Sequence, residues 1–305
     1  MRCILLCEIL NKILGKLGLE EKDNMAHYNW LEAINVTEEM VIKTDNRLPV
    51  IWISALDCTG CKEAFTRSFE PSTLDTILNF ISLEYSELLS AASGDQVEAH
   101  KESIYEKYRG EYVLAIEGSI PGSDEFLMVA GKSVRDEIIH AAKNAKAVIA
   151  FGSCSAWGGI PAAGVNPTNA LDIRAIIPED VPVALVPGCP PIPEVIIGTL
   201  LHVHFHGTLP ELDKKLRPKV FYQTTVHMTC HRKSFFDQKL FAHSYDDEGA
   251  RKGYCLFKIG CKGPTAFNAC ESMGYDRCIS AGFSCIGCSE KGFWDKGGFC
   301  SKRKK

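Results

Sequence analysis

The stretch PVIWISALDCTGC, Pro49 to Cys61, carries two kinds of information in one line. Pro49–Ala55 is apolar, rich in β-branched residues and too short for a core helix, so it reads as a buried strand. The turn that follows, Asp57-Cys58-Thr59-Gly60-Cys61, is polar, bears a glycine and presents two thiols. The design recurs three times downstream. Tyr112–Ile116 (YVLAI) ends in Glu117-Gly118-Ser119-Ile120-Pro121, Ala147–Phe151 (AVIAF) in Gly152-Ser153-Cys154, and Val183–Val186 (VALV) in Pro187-Gly188-Cys189-Pro190. Between these runs lie helical candidates at Lys62–Ile81, Ser82–Ala92, Lys132–Lys146 and Asn169–Ile177. Alternation of strand and helix predicts an α/β fold with a doubly wound parallel sheet, flavodoxin-like and covered on both faces. In open sheets of this kind the binding crevice lies outside the carboxyl ends of the strands. Three strand ends therefore deliver Cys58, Cys61, Cys154 and Cys189 to one place.

At 305 residues the chain exceeds the roughly 100–200 residues of a common single domain. Its texture divides it into an N-terminal extension (1–47), the flavodoxin-like domain (48–205) and an irregular metal-binding C-terminal domain (206–305), where regular alternation stops and glycine and ligand-type residues crowd together. In the extension, Ile4, Leu5, Ile9, Ile13, Leu14 and Leu17 recur at helical spacing and predict an amphipathic helix. Lys+Arg 34 against Asp+Glu 38 leaves a formal charge of -4, which gives no electrostatic argument for nucleic acid. No uncharged apolar run is long enough for a transmembrane helix. The basic tail, Arg303, Lys304 and Lys305, reads as a solvated terminus.

Fourteen cysteines fall into spaced sets, enough for about three metal sites of four soft ligands each. Disulfides belong mainly to small secreted domains, and Met1–Leu10 carries no convincing export signal, so reduced thiols holding metal are expected. Cys58 and Cys61 form a C-x-x-C turn opening a helix, where backbone amides favour thiolates. Gly60 lets the chain pass close to a bulky inorganic core. Cys154 and Cys189 at equivalent strand ends argue against a thioredoxin-like pair, and zinc remains a competitor. The second set, His227, Cys230, Cys255 and Cys261, is three thiolates and an imidazole that zinc accepts readily. H-x-x-C spacing selects His227 and leaves His231 a structural role. The third set, Cys270, Cys278, Cys285 and Cys288, suits a cubane or a zinc ribbon equally. Cys3, Cys7 and Cys300 are expected to hold nothing. His202, His204 and His206 alternate as on a strand and read as satisfied surface histidines. Gly158-Gly159 and Gly297-Gly298 lack the spacing of a phosphate loop.

In order along the chain, Asp57-Cys-Thr-Gly-Cys-Lys-Glu63, Phe151-Gly-Ser-Cys-Ser-Ala-Trp-Gly-Gly159, Val186-Pro-Gly-Cys-Pro-Pro191, His227-x-x-Cys230, Gly260-Cys-Lys-Gly-Pro264 and Cys285-Ile-Gly-Cys-Ser-Glu290 resemble the small subunit of a nickel-iron hydrogenase, from about Leu48 to Phe299. The resemblance implies iron-sulfur clusters rather than zinc. Cys58, Cys61, Cys154 and Cys189 would hold a proximal 4Fe-4S cluster, His227, Cys230, Cys255 and Cys261 a distal 4Fe-4S cluster, and Cys270, Cys285 and Cys288 a medial one. The implied reaction is reversible oxidation of dihydrogen, with no catalytic residue in this chain. A large subunit would carry the nickel-iron centre, and an external carrier (a cytochrome, a quinone-linked subunit or a ferredoxin-like protein) would take the electrons. Active hydrogenase thus requires the complex.

Many members of the resembling family have proline where this chain has Cys278, leaving a 3Fe-4S medial cluster. Here the fourth thiolate predicts 4Fe-4S, as in selenium-containing relatives, at a lower reduction potential. Oxygen-tolerant relatives add cysteines at positions matching Gly60 and Gly159, so an oxygen-sensitive enzyme is expected. Exported relatives carry a twin-arginine signal where this chain has only Arg2, which favours the cytoplasm over a periplasmic or membrane-associated complex. Three other readings compete: the resembling quinone-reductase subunit, which lacks a C-terminal cluster region; a hydrogen-sensing regulatory subunit; and a zinc-stabilised binding module with no redox role.

Overall fold

The computed structural model describes residues 46–69, 71–275 and 278–295. The expected helix at Ile4–Leu17, the basic tail, and Cys3, Cys7 and Cys300 lie outside the described residues. Five strands, β1 (Leu48–Ser54), β2 (Ile81–Ser86), β3 (Val113–Glu117), β4 (Ala147–Phe151) and β5 (Val183–Val186), form one parallel sheet in the order β2-β1-β3-β4-β5. That is the flavodoxin-like order, in which the chain reverses direction across the sheet between β1 and β3. Side chains alternate in two sets. Val50, Trp52, Val113, Ala115, Ile149 and Phe151 pack on one face, and Ile51, Ile53, Leu114, Ile116, Val148 and Ala150 on the other. Both faces are buried, which explains why the strands read as unbroken apolar runs.

Helices α1 (Gly60–Thr66), α2 (Asp95–Lys107), α3 (Val134–Lys143), α4 (Gly152–Trp157) and α5 (Pro193–His206) cover the sheet. Ala64 and Phe65 of α1 and Ile196, Ile197, Leu200 and Leu201 of α5 close the first face. Ile104 and Tyr105 of α2, Ile138 and Ala141 of α3, and Ala156 and Trp157 of α4 close the second. The Trp52 ring stacks on Phe151 with centroids 5.0 Å apart, joining β1 to β4 directly below the ligand-bearing turns.

Several expected helices differ. Lys62–Ile81 is not one helix: α1 stops at Thr66, and Pro71 interrupts the path by removing an N–H and restricting the residue before it. Ser82–Ala92 begins as strand, because Ile81–Ser86 pairs with β1 from Leu48↔Ile81 onward, and edge pairing overrides its polar composition. Asn169–Ile177 shortens to the 3₁₀ turn Ile173–Ala175, where the Asp172 carboxylate accepts the Arg174 N–H at 3.1 Å. Leu201–His206 is helix, not strand. Pro193 starts α5 and Gly207, at φ 72°, ends it.

Beyond α5 the described helices have three to five residues each. A small apolar cluster of Val226, Ala242, Leu256, Ile259, Ala266 and Ile279 includes Cys261 as a core member. This region meets the sheet where the Leu185 N–H of β5 donates to the Leu216 carbonyl at 2.8 Å, and the adjacent Arg217, 3 % exposed, pairs its guanidinium with Asp213 and with Glu290, each at 2.8 Å, holding the later chain to that strand-side loop. Among the described residues no helix is long and apolar enough to cross a membrane.

Candidate metal centres

Cys58 and Cys61 flank the start of α1, Cys154 sits in α4, and Cys189 follows β5, so the sheet carries all four thiols to its carboxyl edge. Thr59 takes the left-handed conformation, φ 65°, while its N–H donates to the Asp57 carboxylate at 3.3 Å. That turn swings the two thiols of the C-x-x-C pair toward the sheet. Glycines leave the space around them open. A Cβ on Gly152 would stand 2.5 Å from Cys61 Sγ, one on Gly60 would stand 3.1 Å from Cys58 Sγ, and one on Gly159 would overlap Cys154 Sγ.

The four thiols act on one another. Burial pushes Cys61 well above the ordinary thiol range, and Glu117, Cys154, Cys58 and Cys189 push it further. Burial likewise raises Cys154 and Cys189 to about 11. Left to themselves Cys61, Cys154 and Cys189 hold their protons, because burial disfavours the thiolate and neighbouring thiolates repel one another. A polycationic iron-sulfur core, which removes the protons and neutralises the sulfurs, fits both the donor set and the glycine-lined space. Glu117 is fully buried beside them. It accepts the Lys62 N–H at 3.0 Å and faces the Lys62 ammonium at 3.2 Å. Burial pushes its carboxyl up to about 8, against the pull of Lys62.

The second expected set lines one pocket: His227, Cys230, Cys255 and Cys261 all face it, with Arg232, Leu256, Gly263 and Ile279 around them. The Phe236 ring meets the His227 imidazole edge-on with centroids 4.6 Å apart. Burial and then Lys233 hold His227 below the usual histidine range, so it is neutral at pH 7 and has a lone pair to give a metal. His231 lies near Cys230 as well, and Cys230, His231 and Glu271 bring one donor atom each within 4.8 Å of one another. Its Nδ1 is 3.3 Å from the Glu271 carboxylate, and it does not line the pocket that the other four donors share.

In the third set Cys285 is raised by burial and then by Cys288, Cys261 and Cys270. Cys288 is raised to about 11 by burial, with Cys278 adding to it. Each member thus acts on at least one other: Cys270 and Cys288 on Cys285, and Cys278 on Cys288. Two links cross between sets: the backbone N–H of Cys189 donates to the Cys288 sulfur, and the N–H of Lys262, next to Cys261, donates to the Cys285 carbonyl at 2.8 Å. His202, His204 and His206 do not converge. His202 and His206 stack one helical turn apart, with centroids separated by 4.3 Å, while His204 turns to Phe80.

Comparison with known proteins supplies the class of protein. Residues 58–203 match the family described as NADH ubiquinone oxidoreductase, 20 Kd subunit, and residues 222–300 match the C-terminal part of the NiFe/NiFeSe hydrogenase small subunit. The chain belongs to the nickel-iron hydrogenase small subunits. Among its relatives, the uptake hydrogenase small subunit of Azotobacter vinelandii is 49% identical over 264 residues, covering 85% of this chain and 74% of the relative. That of Afipia carboxidovorans is 46% identical, covering 86% and 72%. The Ni-Fe-Se hydrogenase structure from Desulfomicrobium baculatum superposes with a TM-score of 0.78 at 31% identity, covering 85% of this chain and 100% of that one. As a member, the chain binds iron-sulfur clusters and works in a hydrogenase complex with a large subunit. This sets aside the zinc-stabilised module, and the match over residues 222–300 sets aside the quinone-reductase subunit.

Sequence reasoning passed over four residues at these centres. Lys62 and Glu117 form the buried pair behind Cys61, and Ser153 and Trp157 reach across to the third set. Each stood inside a quoted motif or turn. Only the fold brings Glu117, 55 positions from Lys62, to the first site.

Proposed function

We propose that this chain conducts electrons between the nickel-iron centre of its large subunit and an external redox carrier, a cytochrome, quinone-linked subunit or ferredoxin-like protein, through three iron-sulfur clusters. Cys58, Cys61, Cys154 and Cys189 would hold the proximal cluster, Cys270, Cys278, Cys285 and Cys288 the medial one, and His227, Cys230, Cys255 and Cys261 the distal one. The observation that carries this reading is the row of backbone links from the Cys189 N–H to the Cys288 sulfur and from the Lys262 N–H, next to Cys261, to the Cys285 carbonyl. When bound, the clusters supply one-electron redox chemistry without bond-making. The chain's own part is to hold twelve donors in three groups, keep water from the thiols and place the groups in file. Iron and acid-labile sulfide analysis of the purified complex tests the reading. About thirteen irons per heterodimer, twelve in the clusters and one in the nickel-iron centre, with about twelve acid-labile sulfides, is the expected result, and a protein without iron refutes it.

The medial cluster is 4Fe-4S in this proposal because Cys278 reaches Cys288 electrostatically and completes a four-thiolate set. The oxidised complex should lack an intense three-iron paramagnetic resonance signal. Cys278→Pro should create one and raise the medial potential. With glycine at 60 and 159 the proximal cluster is an ordinary cubane and the enzyme oxygen-sensitive; sustained hydrogen oxidation in air would count against that.

A further inference from the structure

Helix α4 is short, yet it joins three ligand-bearing turns. Ser153, 1 % exposed, accepts the Gly188 N–H on its hydroxyl oxygen at 3.0 Å and donates its proton to the Cys288 carbonyl. Its backbone N–H donates to the Gly188 carbonyl at 2.8 Å. Farther along the helix, the Trp157 indole N–H donates to the Ser289 carbonyl at 3.2 Å. The Ser289 hydroxyl donates in turn to the Phe267 carbonyl at 2.8 Å. Phe283–Gly287, leading into this segment, belong to no helix or strand; the Lys262 N–H holds the Cys285 carbonyl at 2.8 Å, and past that point Cys288 and Ser289 take their position largely from the side chains they meet. A buried carbonyl deprived of its donor carries a desolvation penalty, and a segment without ladder bonds shifts to relieve it. The contact first opened by such a shift is the one between the Cys189 amide and the Cys288 sulfur.

We infer that Ser153 and Trp157 are positioning residues that fix how closely the medial ligand set sits to the proximal set. This rests on the iron-sulfur assignment of both sets proposed above. Neither side chain is a cluster ligand, and both act through the backbone of Cys288 and Ser289. Ser155 supplies the control: it is equally buried on the same helix and also adjoins Cys154, but its hydroxyl has no hydrogen-bond partner among the described residues.

The test uses the whole hydrogenase complex, reduced with hydrogen, in four forms: unaltered, Ser153→Ala, Trp157→Phe and Ser155→Ala. Iron content and the paramagnetic resonance of the reduced clusters are recorded for each. The expected result is full iron content in all four, with the broadening from proximal–medial spin–spin interaction altered in Ser153→Ala and Trp157→Phe and unaltered in Ser155→Ala. Unchanged interaction in both Ser153→Ala and Trp157→Phe overturns the inference. So does an equal change in Ser155→Ala, which would reveal general packing of α4. If Ser153→Ala does not assemble, Trp157→Phe decides between these outcomes. An unaltered complex without iron fails differently, since it removes the cluster assignment itself and the inference with it.

Discussion

Residues 48–206 contain every strand of the parallel sheet and supply most of the two apolar clusters that sandwich it, to which Phe221, Tyr222 and Ala269 are added from beyond. The described residues after 222 form only helices of three to five residues around one small cluster, in which Cys261 is itself a core residue and Cys230, Cys270 and Cys285 pack at the margin. In the first region hydrophobic burial stabilises the fold and the thiols sit at its edge. The second region has too little apolar area to offset its chain entropy, and its ligands stand where a core would be. With the clusters placed as proposed, metal would be an addition to the first region and a structural component of the second.

Stripping iron anaerobically should separate the two most strongly. Amide exchange is expected to rise to open-chain levels at Val226, Cys255 and Cys261, whose N–H groups bond to Ala266, Leu240 and Leu256, while β1, β3 and β4 stay protected. Equal loss in both regions would break the contrast. Next in size, Ile149→Ala, at a fully buried site in the sheet, should cost about 2–5 kcal/mol in denaturant unfolding of the iron-free chain, as large-to-small core changes do. A negligible cost there would mean the sheet region also depends on metal.

Arg217→Ala should cost less, about 2 kcal/mol. Removing one partner of a fully buried ion pair costs more than that, but Asp213 and Glu290 keep 20% and 19% of their side-chain exposure and are partly screened. Limited proteolysis should show the C-terminal region cut earlier, with the sheet intact. The smallest effect is a pH dependence. Burial against Phe80 lowers His204 to about 4, below its unfolded value of about 6.5. Between those values the unfolded chain binds a proton that the folded chain does not, so stability falls as pH drops through that window. His204→Leu should flatten this slope in unfolding curves taken from pH 7 to pH 4; an unchanged slope assigns it to another group.

How much of this could be read from the sequence follows the same division. The four strands ending in glycine turns were legible because burial on both faces leaves continuous apolar runs, and three of those turns bear cysteines. β2 was not, since an edge strand with Ser82 and Glu84 carries a polar pattern that only its pairing with β1 explains. The helix α2 was hidden for a related reason: its central buried residue is Lys101, held by Glu137 at 2.6 Å and Glu98 at 2.9 Å. Ligand groups in the irregular region were legible from cysteine spacing. Their spatial order was not, because Cys189 and Cys288 meet through folding alone. Spacing favours His227 over its neighbour His231; in the fold His227 lines the pocket with Cys230, Cys255 and Cys261, while His231 stands near Cys230 and Glu271.

The clamp between α4 and Cys288–Ser289 also bears on synthesis. Ser153, Trp157 and Gly188 all precede the third ligand set in the chain, so a ribosome releases the docking surface before the segment that docks on it. The sheet can fold with its carboxyl edge exposed and then serve as a template for the late-emerging turn. Any factor that delivers iron to the first set has an interval in which that edge is still accessible, before Cys285–Ser289 covers it.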